Sequence, residues 1–177
     1  MDLIYQKIAK ESKDVKELET LFVTAFPEEE RPPFDRFISF DNHSIFGIYN
    51  EDKFIGFFSL VEKDDLVYLF FFAIKEEYRG KGIGSEALKY LLNKYKDKRL
   101  FLLAESLDES APNYKERISR ANFYSRNGLI LTNKHINEYG VDYQIITNNL
   151  SVTTNDFLIL MEHILRDFYP IYKQHVY

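Results

Sequence analysis

The sequence predicts a mixed α/β (α+β) domain, a mostly antiparallel sheet of about six to seven strands flanked by helices. Three observations predict it. "SIFGIYNEDKFIGFFSLVEKDDLVYLFFFAI", Ser44 to Ile74, reads as three strands joined by two tight polar turns, an antiparallel meander. From Leu66 to Glu105 the order is buried strand, glycine loop, amphipathic helix and second buried strand, which implies a right-handed parallel crossover. Two further alternating runs, 129–136 and 141–147, turn near Tyr139 and Gly140. The chain has 177 residues, 45% of them hydrophobic and 16% aromatic, enough for one sizeable core but short for two. The expected organisation is one domain over 1–177, with 151–177 a C-terminal helical extension.

Each element has a local cause. Residues 3–8 alternate as a short strand. The helix after them shows Val15, Leu18, Leu21, Phe22 and Ala25 on one face, with Asp14 and Glu17 spaced as a capping box. "FPEEERPPF", Phe26 to Phe34, interrupts it with three prolines, so 27–33 is a loop before a short helix over 35–40. Leu66 to Ile74 is apolar on both faces, as a central strand covered on both sides must be. Ala87, Leu88, Leu91, Leu92 and Tyr95 recur at helical spacing, and "RLFLLAE" is the strand that follows. A helix over 114–127 ends at Gly128, and Phe157, Leu158, Leu160, Met161, Ile164, Leu165 and Phe168 lie on a closing helix over 154–168.

Composition removes several function classes. Without cysteine there is no disulfide framework or cysteine zinc site, and the four histidines lack HxxxH-type spacing, so no metal is expected. The first twenty residues carry charges where a signal peptide is apolar, and no window reaches the length of a membrane span, which makes the cytoplasm the expected address. A net charge of −5 argues against a nucleic-acid partner. Any anionic cofactor must be met by a local concentration of positive charge.

The glycine loop, "RGKGIGS", is the place for it. A P-loop needs GxxxxGK followed by Ser or Thr, which is absent. The dinucleotide fingerprint GxGxxG matches Gly80 and Gly82, but its last glycine would fall one residue later than Gly84, and a meander precedes the unit. Arg79, Gly82 and Gly84 instead form RxxGxG between an apolar strand and a helix. Glycines here let backbone N–H groups converge at the positive end of the helix, where a pyrophosphate gains hydrogen bonds and a favourable dipole. Arg79 and Lys81 add cations.

The stretch "FAIKEEYRGKGIGSEALKYLL", with "FYSRNGL" at 123–129 as a second cofactor segment, resembles the GNAT superfamily of acetyl-CoA-dependent N-acetyltransferases, and the element order agrees from about residue 3 to 147. The resemblance implies a sheet splayed between the fourth and fifth strands. It implies acetyl-CoA as cofactor, its pyrophosphate held over Arg79, Gly80, Lys81, Gly82, Ile83, Gly84 and Ser85. The backbone of Phe72, Ala73 and Ile74 is then expected to bind the pantetheine arm and acetyl group, with one N–H polarising the thioester carbonyl. Tyr124 matches the family's general acid near the CoA sulfur. The family's usual asparagine before the second segment is replaced by Arg117, and Asn113 is the substitute contact.

A base must take a proton from the amine. Glu105, ending a buried strand, is the first candidate, and Glu28, Glu29 and Glu30 of the proline-bounded loop are the second. The resembling fold lines its acceptor side with that loop and the hairpin at Tyr139. A cationic amine is expected there, steered by the three glutamates and met by Phe26, Phe34, Tyr139 and Tyr143. The partner class is therefore a small-molecule or peptide amine, with no membrane and a homodimer left open. The alternative is a non-catalytic acyl-CoA-binding or regulatory module of the same fold.

Overall fold

Two-residue polar turns fold the first half of the chain into hairpins, with Glu51 and Asp64 each in the left-handed region, φ +55°. The computed structural model, which describes residues 2–177, runs β1 (Leu3–Ile8), α1 (Val15–Ala25), α2 (Phe34–Phe37), β2 (His43–Asn50), β3 (Lys53–Lys63) and β4 (Leu66–Ile74). The rest is α3 (Ile83–Lys94), β5 (Arg99–Glu105), α4 (Tyr114–Arg126), β6 (Ile130–Glu138), β7 (Val141–Thr147), α5 (Thr154–Leu165) and α6 (Tyr169–Tyr172). The strands form one seven-stranded sheet in the order β1-β2-β3-β4-β5-β7-β6. β1 pairs antiparallel with β2, β2 with β3, β5 with β7 and β6 with β7. β4 and β5 are parallel, in register from Leu66–Arg99 to Tyr68–Phe101. That ladder takes three of the nine residues of β4, the short pairing that the expected splay requires. No helix among the described residues is long and apolar enough to cross a membrane.

Contacts group the chain into two compact units whose limits fall inside β3, β4 and α3: the residues up to Val61 with Leu69–Tyr90, and Glu62–Tyr68 with Leu91–Tyr177. The first is built on rings. Phe22 stacks on Phe37 with centroids 4.2 Å apart and meets Phe71 edge-on at 5.1 Å, and Leu18, Phe22, Phe37 and Phe57 are fully buried. Such offset and edge contacts add about 0.5–1.5 kcal/mol per pair to the burial itself. In the second unit Tyr68 stacks on Phe101 at 5.1 Å and meets Phe157 of α5 edge-on at 5.5 Å. Charge ties it further, since Arg99 bonds Asp65 in the β3–β4 turn and Asp156 in the first turn of α5.

Several local expectations are corrected. Asp14 and Glu17 form no capping box, because Asp14 accepts the Tyr49 hydroxyl at 2.8 Å and Glu17 pairs with Lys75. The capping box lies at Thr153 and Asp156 instead. The second helix is Phe34–Phe37 rather than 35–40, since the chain tightens where the Ser39 N–H reaches the Arg36 carbonyl at 3.0 Å and its hydroxyl takes the Asp35 carbonyl. The closing helix stops at Leu165, where Arg166 turns left-handed at φ +50°. β6 runs on to Glu138 because the C-terminus pairs with it: Asn137 and Tyr177 exchange backbone bonds of 2.7 and 3.0 Å.

Candidate functional site

The cofactor candidates of the first unit begin on β4 and end in α3. Phe72, Ala73 and Ile74 are held from β3, where a Cβ on Gly56 would stand 2.6 Å from the Ala73 carbonyl oxygen and 2.8 Å from the Ile74 side chain. Only glycine permits that approach. One step further, the Lys75 N–H donates to the Ile55 carbonyl at 2.9 Å. Arg79 folds back so that its Nε donates to the Ile74 carbonyl at 2.9 Å. Lys81 donates to the Glu77 carbonyl at 2.7 Å with its Nζ over the Tyr78 ring. Both cations therefore rest on the loop itself, exposed to solvent.

Gly80 and Gly82 have φ of +73° and +82°, and a Cβ added to either would meet nothing within 4 Å. The space over the loop is open, and the backbone conformation there is one that other residues adopt only with strain. The Glu86 N–H bonds the Gly82 carbonyl at 3.0 Å, opening the α3 ladder. The N–H groups of Ile83, Gly84 and Ser85 thus precede the helix's own bonding, at its positive end. Open room, early N–H donors and two cations fit a pyrophosphate.

In the second unit Glu105 is nearly buried, its side chain 9% exposed. Asn113 Nδ2 donates to both its oxygens at 3.2 and 3.1 Å, Arg117 pairs with it at 2.7 Å, and Arg120 pairs with it too. Arg117 also donates to Asn113 Oδ1 at 2.8 Å and to the Ser106 carbonyl at 2.7 Å. The structure thus brings together Glu105, Asn113 and Arg117 at the start of α4, with Arg120 one turn on. Arg120 was not singled out by the sequence, although its spacing of three from Arg117 puts both on one helix face.

Tyr124 lies near the other end of α4, half-buried, its ring edge-on to Phe123 at 5.2 Å. Its hydroxyl has no hydrogen-bond partner among the described residues. Burial pushes the phenol up to about 12, with Arg120 pulling the other way. The proton stays on Oη throughout the neutral range.

The acceptor candidates differ in setting. Glu28, Glu29 and Glu30 form one exposed 3-10 turn in the first unit, followed by Arg31, which bonds the Phe26 carbonyl at 3.0 Å. Tyr139, in the second, is 59% exposed at the β6–β7 turn with φ +52°, and stacks on His175 at 4.8 Å.

The model of the Acetyltransferase (GNAT) family matches residues 15–118, more than half of the chain. A solved structure assigned to GNAT-family acetyltransferases, from Bacteroides thetaiotaomicron, is 24% identical, covers 96% of this chain and 98% of its own, and has a TM-score of 0.73. A GNAT acetyltransferase from Elizabethkingia anophelis with acetyl-CoA bound is 16% identical, covering 84% and 98%, at TM-score 0.60. A spermidine N-acetyltransferase chimera from Vibrio cholerae and hSSAT is 15% identical, covering 83% and 95%, at 0.61. No curated protein matches. These structural likenesses speak for the fold, and the family model, which spans α1 to the first turns of α4, shows that the chain belongs to the GNAT acetyltransferase family.

Proposed function

We propose that the chain transfers an acetyl group from acetyl-CoA to a primary amine of a small-molecule or peptide acceptor. The observation that carries the reading is the open glycine loop at the start of α3, with N–H groups ahead of the helix ladder. Family membership and the acetyl-CoA held by the Elizabethkingia anophelis protein support it. When bound, acetyl-CoA supplies an acyl group already activated as a thioester. Arg79 to Ser85 hold the pyrophosphate, Arg79 and Lys81 swinging their side chains onto it. Phe72, Ala73 and Ile74 would align the acetyl group through their backbone, one N–H polarising the thioester carbonyl; removing such a donor costs about 3 to 4 kcal/mol of barrier. Tyr124 holds the proton that the departing sulfur takes. A phenol near 12 always has that proton at pH 7, while its weak acidity makes correct placement essential.

Glu105 we assign to holding α4, which bears Tyr124, rather than to accepting the amine proton. Its oxygens already receive three side chains, and a base needs a free lone pair. Asn113 is committed to Glu105 and Arg117 in the same way, so any contact with the cofactor requires it to exchange a bond. The exposed Glu28 and Glu29 are the acceptor-side carboxylates, which suits a cationic amine such as the spermidine for which the Vibrio cholerae chimera is named.

Calorimetry with CoA tests the loop. Gly82→Val should lower CoA affinity by more than about a hundredfold, the loss of two charge-assisted hydrogen bonds. An unchanged affinity in a folded variant overturns the assignment. Turnover of acetyl-CoA with a panel of amines separates catalysis from a binding module.

A further inference from the structure

We infer that His43 is an acceptor-binding residue: within a wall of phenylalanine rings in the first unit, its Nε2 lone pair receives an N–H of a primary ammonium carried on an apolar body. The inference rests on the function proposed above and narrows its acceptor. A polar atom buried without a hydrogen bond is costly and needs a physical reason. Among the described residues, His43 Nε2 is such an atom. The imidazole does bond the Phe37 backbone, and since the Phe37 N–H already donates to the Pro33 carbonyl at 3.0 Å, the partner is the Phe37 carbonyl. Only Nδ1–H can be the donor, so the tautomer is set and Nε2 carries a bare lone pair. Burial lowers the imidazole to about 4, and no proton covers that lone pair at neutral pH.

Rings surround it. Phe37 stands 4.9 Å from the imidazole, Phe40 6.1 Å and Phe70 6.0 Å. The same cluster runs to the proline-bounded loop by two routes, Phe70 to Phe71 at 4.4 Å and Phe71 to Phe26 at 4.8 Å, and Phe37 to Phe34 at 6.1 Å. Phe37 and Phe71 are buried, whereas Phe26, Phe34, Phe40 and Phe70 are half-buried, as His43 is, so the imidazole stands at the rim. Ring faces attract a cation, and the Arg31 guanidinium already lies 5.8 Å over Phe22 of this cluster. A neutral lone pair among such faces suits an ammonium: the rings meet its charge and its apolar body, and Nε2 demands an N–H. Phe70 belongs to β4, the strand proposed to align the acetyl group two residues further on. An imidazole near 4 holds the amine proton only by hydrogen bonding and does not carry it away, which makes His43 a binding residue and not the base.

The bond can be read before any turnover. The probe is phenethylammonium, added to parent protein saturated with CoA, which has no acetyl group to give, while isotope-labelled histidine is followed by nitrogen NMR. The His43 Nε2 resonance should move as the amine saturates, because its lone pair gains a hydrogen bond, and Nδ1 should stay put. Phenethyltrimethylammonium keeps the charge and the ring but has no N–H, and should move Nε2 far less. In turnover with acetyl-CoA, His43→Phe should lose about tenfold in kcat/KM for phenethylamine, carried by KM, with KM for acetyl-CoA unchanged within about twofold. An Nε2 signal that ignores the amine in a parent that acetylates any amine of the panel, or a variant in which both KM values rise together, overturns the inference and leaves the proposed function standing. A signal that moves although no amine is acetylated keeps the ammonium site and removes the transferase reading. If the amine neither moves the signal nor is acetylated, both fall, and the buried lone pair is a packing cost only. Should His43→Phe fail to fold, the labelled parent decides alone.

Discussion

His43 and Glu105 are both titratable side chains drawn largely out of water, and the two units treat them oppositely. His43 sits among rings, 4.9 Å from Phe37, 6.1 Å from Phe40 and 6.0 Å from Phe70, and its Nε2 is buried without a partner. Burial lowers the imidazole to about 4, against the pull of the Phe37 backbone and with help from Lys7. Glu105 is instead surrounded by donors from Asn113 and α4. At these two positions the first unit excludes charge and packs, and the second surrounds a carboxylate with cations. Tyr124 departs from that pattern: its hydroxyl has no hydrogen-bond partner among the described residues of the charge-tied unit, which suits the general-acid role proposed for it.

The largest expected effect tests that exception. Tyr124→Phe should reduce kcat by about 10² to 10⁴, with little change in acetyl-CoA affinity. Because the phenol titrates near 12, the parent should show no alkaline limb from this residue below about pH 11. A fall of less than about threefold under chemistry-limited conditions would make Tyr124 a packing residue.

His43 predicts the next effect, on stability. The unfolded imidazole takes a proton as pH falls through its ordinary 6.5, the folded one only near 4, so the unfolded state binds more protons between them. Stability held above pH 6.5 is lost on acidification through that window, by up to about 3 kcal/mol at 1.36 kcal/mol per pH unit. The Asp65 carboxyl, held low by Arg99, adds its own loss at more acid pH, so the measurement is a difference. Urea unfolding of parent and His43→Phe at pH 7.5, 5.5 and 4.5 should diverge steadily. Parallel curves would mean that imidazole meets water or a partner in the folded state.

Glu105→Gln sharpens the other half. It keeps the shape but leaves Arg117, 14% exposed, without its counter-charge, at a cost of about 3 kcal/mol. If Glu105 only anchors α4, Glu105→Gln should lower Tm by several degrees and kcat less than Tyr124→Phe does. A stable variant with kcat abolished would return Glu105 to the role of base.

What was legible beforehand follows the same division. Strands, crossover, glycine loop and the Tyr139–Gly140 turn were readable because each depends on neighbours in sequence: alternation, an apolar run, spacing within one helix. Isolated Gly56 in a strand pattern is likewise a local sign of close backbone approach. What escaped depends on distant partners. The Asp14 carboxylate goes to Tyr49 instead of capping its own helix, and the C-terminal residues run beside Asn137. Nothing in the spacing of Ser59 and Phe71 announces that a buried serine hydroxyl accepts the Phe71 N–H. Glu105 is a base candidate from the sequence because an acid at a strand end shows no partners there, and the donors that surround it become visible only with α4 placed against the strand.

The smallest expected effect concerns charge on the proposed acceptor side, at the exposed acidic turn of the first unit. Glu28, Glu29 and Glu30 occupy a single turn after Pro27. All three are exposed, and what they would add to capture is the field they set up together. Such a field raises the local concentration of a cationic amine and speeds its capture, and it fades with a screening length of about 10 Å at 0.1 M salt. Replacing all three with glutamine should therefore reduce kcat/KM for a polycationic acceptor by about two- to fivefold at low ionic strength and leave it nearly unchanged at high salt. kcat at saturating amine should stay put, because steering acts before the complex forms. An anionic acceptor inverts the sign, the triple variant then being the faster, and a neutral one shows neither effect. Equal kcat/KM for variant and parent at both ionic strengths would show that this turn takes no electrostatic part in capture, and would move the search for the acceptor's recognition toward Tyr139 and its hairpin.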